Sequence, residues 1–353
     1  MSDWMTRTIA PPYRPARFDT TELTKLWAAP GPYLSVLVDL TRPPQDRMRV
    51  WEHRIEQLRD AGLAPAILTV VEQELGSSLP PDLVALAVLV ASDGTSVSIA
   101  SPDPLVSERM EVGALPRTAV AIDWVQRSPS HLVVDVAVDR TTVTAFEPDG
   151  AVVSHETDAD PTDTLASLAE IASEHRATLI GLAGLPALTD DVLSRLRHLL
   201  PAAVRIVAIG DGSIDDLATA AVRAVADDVA RETVEAVAEL RTARGLGRAA
   251  EGVVGAVEAL HDGRASRLIV HDDPDDQRLA WFGADPRDIA IDLEHAGSVD
   301  TSHLRQGPLV EVLIRSCTLQ GGAVRVVPAI DERRLSEGIA VVVAPRVLLL
   351  DPH

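Results

Sequence analysis

Short apolar runs and longer amphipathic segments alternate along the chain, and their spacing separates predicted strands from predicted helices. In the first third, the predicted elements are strands at 33–40, 83–91, 96–100 and 106–112 and helices at 45–61 and 65–75. Together they predict a mixed α/β domain. The segment before them is rich in Pro and Arg, and we expect it to form an extended arm.

The second third opens with three predicted strands, and the Pro-Asp-Gly of EPDG marks the turn between the last two. A helix is predicted from Asp160 and Pro161, a favoured N-cap followed by Pro at the first helical position. The later elements are strands at 178–182 and 204–209 and helices at 189–200 and 213–243. Three antiparallel strands followed by alternating helices and strands is an order shared by ribonuclease-H-like folds, although fold alone fixes no activity.

The segment RGLGRAAEG, residues 244–252, interrupts the helical pattern and predicts a domain boundary. Glycines stand just past two later helices, where glycine commonly ends a helix. The elements predicted here are helices at 252–261 and 309–320 and strands at 268–271, 324–327 and 339–343. The fold class is therefore α/β in three domains: a mixed α/β N-terminal domain at 1–128, a ribonuclease-H-like middle domain at 129–244, and an α/β/α sandwich at 245–353.

The composition fits two or three domains with aliphatic cores, since the chain has 353 residues and only 3% of them are aromatic. The lone cysteine, Cys317, excludes an internal disulfide and a cysteine cluster for zinc. Its helical setting predicts a small core residue, in keeping with a reducing compartment. No apolar run reaches the ~20 residues that span a bilayer, so we expect a cytoplasmic protein with no membrane partner.

The net charge is −21, and the three predicted domains contribute −4, −11 and −6. This balance argues against non-specific binding to DNA or RNA, which depends on neutralising phosphates with basic side chains. Docking on RNA through a local patch stays possible. The predicted RNA-facing residues lie on and just before one helix: Arg42, Arg47, Arg49, Arg54 and Arg59. Acidic residues are interleaved with them, so an exposed helix laced with salt bridges is the alternative.

Two carboxylates, Asp135 and Asp139, fall on one side of the first strand of the middle domain. Strand alternation places Leu132, Val134, Val136 and Val138 on the buried side, and Val133, Asp135, Ala137 and Asp139 on the other. Four residues separate the two acids by about 13 Å, whereas a divalent ion holds its oxygen ligands within about 2.6 Å. One metal ion cannot bridge them, and a solvated hairpin is predicted instead.

Three further motifs have a structural explanation that we prefer to a ligand site. GLGRAA, residues 245–250, resembles a dinucleotide fingerprint, but the motif needs a preceding strand and a long helix is predicted there. IGDGS, residues 209–213, follows a strand and opens a helix, yet it lacks the P-loop lysine. HDDPDDQ, residues 271–277, lacks the alternating acids and central glycine of a calcium loop. No metal or cofactor is therefore expected.

No motif in the chain pairs a nucleophile with an identifiable base. Histidines are scattered without the spacing of a zinc protease, and no G-x-S-x-G motif occurs. The sequence therefore predicts a protein that is not an enzyme.

Three segments together carry a resemblance to a known family: HLVVDVAVDRTTVTAF, RAAEGVVGAVEALHDGRASRLIVHDD and LVEVLIRSCTLQGGAVRVVPAIDERRLSEGIAVVV. They resemble the bacterial branch of the archaeal and eukaryotic class I release factor and Pelota family. They are also similar to its actinobacterial members related to the ribosome-hibernation factor Balon. The resemblance covers about residues 130 to 353 and consists of patterns of fold and spacing.

The resemblance implies a ribonuclease-H-like middle domain without nuclease function and a third domain similar to kink-turn-binding ribosomal proteins. It implies placement in the ribosomal A site and a translation GTPase as a possible partner. In that family the chemistry lies in a GGQ loop after the third strand of the middle domain. Here only TDAD, residues 157–160, separates that strand from the predicted helix, and QGG at 320–322 belongs to a helix end.

These observations lead to one hypothesis and two alternatives. The hypothesis is a non-catalytic ribosome-associated factor of the hibernation or stress type, without peptidyl-tRNA hydrolase activity. The first alternative is a protein-interaction module that has kept the fold and lost ribosome binding. The second is a nucleotide-binding α/β protein that uses IGDGS.

Overall fold

The computed structural model describes residues 5–8, 20–77, 83–101, 103–105, 107–137, 141–146, 152–157, 165–202, 204–211, 214–271, 273, 275–294, 303–327 and 335–344. The described residues form a mixed α/β fold in three units, which we name the first, middle and third units. This confirms the predicted fold class. Among the described helices, none is long and apolar enough to cross a membrane.

The first unit is an antiparallel sheet with helices on both faces. Its elements are α1 (Thr20–Ala28), β2 (Tyr33–Asp39), α2 (Pro44–Asp60), α3 (Pro65–Gly76), β3 (Ala85–Val90), β4 (Ser96–Ser101), β5 (Arg109–Gly113) and α4 (Thr118–Arg127). The strand order is β4-β3-β2-β5. Helices α2 and α3 pack on one face, and α1 and α4 pack on the other. Both central strands are buried on each face, which explains their continuous apolar sequences.

The middle unit is built on a six-stranded mixed sheet. Its elements are β1 (Met5–Thr8), β6 (His131–Val136), β7 (Thr141–Phe146), β8 (Val152–Thr157), α5 (Leu165–Glu174), β9 (Leu179–Gly184), α6 (Pro186–Leu199), β10 (Arg205–Gly210) and α7 (Ile214–Gly245). The strand order is β1-β8-β7-β6-β9-β10. Strands β6, β7 and β8 are antiparallel, whereas β9 and β10 run parallel to β6. Apart from β1, this is the predicted ribonuclease-H-like order.

Strand β1 comes from the segment that we expected to form an extended arm. It pairs antiparallel with β8, and Met5 lies opposite Glu156. The arm residues 5–8 are therefore extended, and they add an edge strand to the sheet of the middle unit.

The two-sided pattern predicted for β6 is wrong at Val133. This side chain is buried, and it packs against Leu217 and Ala221 on α7. The face that we expected to be solvated is thus covered by a helix, and Asp135 on the same face is half-buried. Asp139 lies outside the described residues. Among the residues that are described, no group of acids, histidines or cysteines could hold a metal ion.

The third unit is an α/β/α sandwich, as predicted. Its elements are β11 (Ala249–Glu251), α8 (Gly252–His261), β12 (Ala265–His271), β13 (Leu279–Phe282), β14 (Ile289–Ala290), β15 (Arg305–Pro308), α9 (Leu309–Leu319), β16 (Ala323–Val327) and β17 (Ile339–Val343). Its main sheet has the order β11-β17-β12-β16, and a smaller sheet has the order β14-β13-β15. Helices α8 and α9 cover one face of the main sheet.

Helix α7 is shared by the middle and third units. Its 32 residues span about 48 Å. Leu217 and Ala221, near its start, pack on the sheet of the middle unit. Ala236, Leu240 and Ala243, near its end, pack on the sheet of the third unit. The second face of the third unit's sandwich is therefore supplied by a helix that begins in the middle unit.

The first unit docks on the third unit through α1 and α4. Leu23 and Trp27 of α1 and Ile122 of α4 belong to the same buried cluster as Leu313 of α9. This contact creates the cleft described next.

Candidate functional site

The five arginines predicted to face RNA do not lie on one surface, and Arg47 requires a correction. Its side chain is only 3% exposed. Nη2 donates a hydrogen bond of 2.7 Å to the carbonyl oxygen of Ser77, just past the end of α3. The seven-residue spacing predicts that Arg47 and Arg54 share a face of α2, but Arg47 is buried whereas Arg54 is exposed. Arg47 therefore joins α2 to α3 and is not available to RNA.

Two of the other arginines are held in ion pairs. Arg42 lies 3.0 Å from a carboxylate oxygen of Glu108, and Arg59 lies 2.7 Å from a carboxylate oxygen of Glu72 on α3. Both acids lie outside α2, so these pairs join the segment to the rest of the first unit and are not made with the interleaved acids of the helix itself.

Arg49 and Arg54 are exposed. Arg54 donates a hydrogen bond of 3.2 Å to the side chain of Gln57. Arg49 lines a shallow groove between α2 and α3, where two arginines face three glutamates: Arg49, Arg59, Glu52, Glu56 and Glu72. The groove is thus not basic. Of the five arginines, Arg49 and Arg54 are the exposed ones that form no ion pair with a described residue, so they remain the candidates for a phosphate contact.

A cleft of about 160 Å³ lies where the first unit meets the third unit. Its apolar wall includes Leu37, Val120, Trp124, Leu309, Val310 and Val326. Four arginines and five acidic residues also line it: Arg109, Arg117, Arg127, Arg278, Asp103, Asp123, Asp273, Asp276 and Glu311. The cleft is therefore charged but close to electrically balanced.

Most of the charged side chains of the cleft form ion pairs with one another. Arg127 lies 2.6 Å from Asp123, one turn earlier on α4, and 3.7 Å from Asp103. Arg278 lies 2.7 Å from Asp276. Burial raises the pKa of Asp123, and the neighbouring Arg127 opposes that rise.

The remaining two arginines that line the cleft are also paired with carboxylates. Arg117 pairs with Glu111 within the first unit. Arg109 of β5 lies 4.0 Å from Asp275 of the third unit, so this pair bridges the two units. Since each arginine faces a carboxylate, the cleft is better suited to holding the units together than to binding an anion.

Glu311, in the first turn of α9, is a buried residue of the cleft lining and caps the start of α4. Its carboxylate accepts hydrogen bonds from the backbone N–H of Thr118 at 2.8 Å and of Ala119 at 3.2 Å. The hydroxyl of Thr118 donates a third, at 2.5 Å. The first backbone N–H groups of a helix have no partner within the helix, so a residue of the third unit satisfies a helix of the first. Burial raises the pKa of Glu311 to about 7.

Gln126 holds the other end of α4 on the third unit. Its side-chain nitrogen donates to the carbonyl oxygen of Val324 at 2.7 Å, and its side-chain oxygen accepts from the backbone N–H of Val326 at 3.0 Å. Both backbone groups belong to β16, the edge strand of the main sheet. The amide thus replaces a neighbouring strand and covers an edge that would otherwise be open to pairing.

The polar groups of the cleft are mainly carboxylates and guanidinium groups. Of the described residues that line it, Ser107 carries the one hydroxyl, and none is a histidine or cysteine. Cys317 lies in the core of the third unit, where burial raises the pKa of its thiol to about 11. A thiol with such a pKa is a weak nucleophile at neutral pH, which agrees with the predicted core role.

The motifs set aside in the sequence fall as follows. GLGRAA follows helix α7 directly, so the strand that a dinucleotide fingerprint requires is absent there. IGDGS joins β10 to α7 as predicted, but Gly212 and Ser213 lie outside the described residues. The same holds for Asp272 and Pro274 in HDDPDDQ.

Glu311 and Gln126 are the residues of this site that sequence reasoning missed. A signal for Glu311 existed, since LVEVLIRSC is an apolar helical run whose single acid has no solvated face to occupy: every residue from Leu309 to Cys317 is buried. No comparable signal marks Gln126, which is one polar residue near the end of a short helix.

Comparison with known proteins yields solved structures only. No protein-family model and no curated protein matches the chain. An archaeal translation termination factor, aRF1, is 16% identical over 93% of this chain and 98% of that chain, with a TM-score of 0.25. Dom34 of S. cerevisiae, a translation termination-like factor, is 9% identical over 97% of this chain and 94% of that chain, with a TM-score of 0.45. A ribosome-bound archaeal Pelota is 15% identical over 94% of this chain and 95% of that chain, with a TM-score of 0.41. Because these scores are low, the fold assignment rests on the strand orders given above.

Proposed function

We propose that this chain is a non-catalytic translation factor that associates with the ribosome, of the hibernation or stress type. The observation that carries the proposal is the strand order of the middle unit, β8-β7-β6-β9-β10. It is the order that the resemblance to release factors and Pelota implies. The α/β/α third unit, joined to the middle unit by α7, supports the same family architecture. The proposed partners are the ribosome, which the chain would bind at the A site, and a translation GTPase.

The proposal includes the absence of peptidyl-tRNA hydrolysis. The GGQ loop of the family follows the third strand of the middle domain, and here that strand is β8. The segment between β8 and α5 is DADPTDT, residues 158–164. It contains three aspartates and no glycine, glutamine or basic residue. A loop of seven residues has a contour length of at most about 25 Å, which must cover both the outward and the returning strand of the loop. The segment therefore lacks the GGQ motif and is too short to extend far from the middle unit.

The RNA contacts proposed for the first unit are now limited to Arg49 and Arg54. If they contact phosphates, the double substitution Arg49→Glu and Arg54→Glu should weaken ribosome binding and make it less dependent on salt. Arg197→Glu on α6 is the control, since Arg197 is an exposed arginine of the middle unit. Unchanged binding by the double variant would remove this surface from the proposal.

Two assays test the proposed function. In the first assay, the purified chain should pellet with ribosomes at low salt. In the second, it should leave the peptidyl-tRNA intact when it is added to ribosomes that carry peptidyl-tRNA and have an empty A site. Release of the peptide would contradict the non-catalytic part of the proposal. A folded chain that stays in the supernatant at low salt would contradict the ribosomal part.

A further inference from the structure

Hydrogen bonds at both ends of α4 cross the contact between the first and third units. At the start of α4, the carboxylate of Glu311 accepts from the backbone N–H groups of Thr118 and Ala119. Near the end of α4, the side chain of Gln126 bonds to the backbone of β16. Separation of the two units would break both sets of hydrogen bonds, so each end of α4 reports on it independently.

Glu311 is an ionisable group that this contact shields from water. Only 2% of its surface is exposed, and every residue of α9 from Leu309 to Cys317 is buried. The charge of Arg117 acts on Glu311, but Arg117 forms its ion pair with Glu111. Because Glu311 also lines the cleft between the units, their separation would bring water to its carboxylate.

Two other carboxylates of the cleft are paired with arginines. Asp123 on α4 lies 2.6 Å from Arg127, and Asp276 of the third unit lies 2.7 Å from Arg278. Burial raises the pKa of Asp123, and Arg127 opposes that rise. Burial also acts to raise the pKa of Asp276, but the hydrogen bonds from Arg278 leave it below its ordinary value. Glu311 has no such ion pair among the described residues, so its ionisation is the costly one in the closed contact.

The closed and open contacts therefore hold the proton of Glu311 to different pH values. Burial raises the pKa of Glu311 to about 7 in the closed contact, whereas a carboxyl that reaches water has a pKa of about 4.3. The contribution of Glu311 to closure is complete below the lower value and is lost as the pH rises through about 7. Between pH 6 and pH 8, these two values raise the ratio of open to closed contact by about tenfold.

We propose that the contact between the first and third units is a pH-sensitive latch, which opens more often as Glu311 loses its proton. Opening exposes Leu23, Trp27 and Ile122, which belong to the apolar cluster shared with the third unit. Burial of these side chains favours the closed form, so the pH sets how often the latch opens. Each opening uncovers the edge of β16 that Gln126 covers. The inference does not depend on ribosome binding.

Hydrogen exchange of the full chain at pH 6, 7 and 8 tests the latch. The N–H of Thr118 donates to Glu311, and the N–H of Val326 donates to Gln126. Their protection factors, which are corrected for the intrinsic exchange rate at each pH, should fall together by about tenfold from pH 6 to pH 8. The amide of Leu268, in a central strand of the third unit, should exchange more slowly than both, because the latch opens without unfolding the sheet.

The variant Glu311→Gln has no charge to gain, so its protection factor at Val326 should change by less than about twofold over the same range. Glu258→Gln, at an exposed glutamate of α8, is the matched control and should keep the tenfold fall. Since the wild-type profile needs no variant, the proposal is tested even where Glu311→Gln fails to fold.

Four results would overturn the proposal. The first is a protection factor at Val326 that does not fall with pH in the wild type. The second is a fall at Thr118 alone, which would show fraying of the start of α4. The third is exchange at Leu268 as fast as at Val326, which would show that the contact opens only with unfolding. The fourth is a fall that persists in Glu311→Gln, which would assign the effect to another group such as Asp123.

Discussion

The buried carboxylate of Glu311 should make the stability of the protein depend on pH between about 4.5 and 7. It is fully buried between the third unit and the start of α4, and burial raises its pKa to about 7 from the ordinary 4.5. The substitution Glu311→Gln keeps one oxygen, which can accept from the N–H of Thr118, and replaces the oxygen that faces Ala119 with an amide nitrogen. It also removes the charge, so the variant resembles the protonated wild-type residue.

The size and sign of the effect follow from the two pKa values. One pKa unit corresponds to about 1.4 kcal/mol, so a pKa of about 7 in the folded chain against 4.5 in the unfolded chain corresponds to about 3 kcal/mol. The folded state holds the proton at higher pH than the unfolded state does. The contribution of Glu311 to the free energy of unfolding is therefore complete below pH 4.5 and is lost as the pH rises through about 7.

The free energy of unfolding of wild type and of Glu311→Gln is measured with denaturant at pH 5, 6, 7 and 8. Hydrogen exchange of the amides in α4 is measured alongside it. The variant should gain stability relative to wild type as the pH rises, by about 3 kcal/mol across the range. Glu56→Gln, at an exposed glutamate of α2, serves as the control for loss of one negative charge. A difference between wild type and Glu311→Gln that is the same at pH 5 and pH 8 would refute the reasoning.

Two further substitutions test how the units are held. Gln126→Ala should cost about 1–3 kcal/mol and speed hydrogen exchange at Val326, because the buried N–H loses its acceptor; unchanged exchange at Val326 would contradict this, and Gln57→Ala on the exposed face of α2 is the control. Gly184→Ala should destabilise the middle unit by about 3 kcal/mol or more in thermal unfolding, since a Cβ would lie 2.2 Å from the carbonyl oxygen of Val136 and φ is +124°. Gly245→Ala, which meets no atom within 4 Å, should leave the stability nearly unchanged.

The long periodic elements could be predicted from the sequence because their own residues determine them. Helices α2, α3, α7, α8 and α9 begin and end within a few residues of the predicted bounds. Pro44, Pro65 and Pro186 occupy first-turn positions that suit proline. The order of strands and helices in the middle unit was sufficient to predict its sheet topology.

The elements that were missed are short and depend on distant partners. Helices α1 and α4 have 9 and 10 residues, and both are stabilised by packing between the first and third units. Strands β13, β14 and β15 have two to four residues each. Short elements of this kind draw their stability from tertiary contacts that no local pattern contains.

The candidate site was predictable only in part for the same reason. The spacing of Arg47 and Arg54 predicts a shared face of α2, but Arg47 is buried and Arg54 is exposed. The carbonyl of Ser77 that accepts from Arg47 lies 30 residues later in the chain. The cleft between the first and third units likewise arises only when β5, α4 and α9 come together. Burial of Val133 likewise required knowing that α7 crosses that face.

Co-sedimentation with ribosomes across a salt series tests the central claim most directly. Purified full-length chain is mixed with ribosomes from growing cells and from starved cells of the source organism, and pellet and supernatant are compared at each salt concentration. The account predicts that the chain pellets at low salt, more fully with ribosomes from starved cells, and is released as the salt concentration rises. Folded chain that remains in the supernatant with both kinds of ribosome at the lowest salt would contradict it.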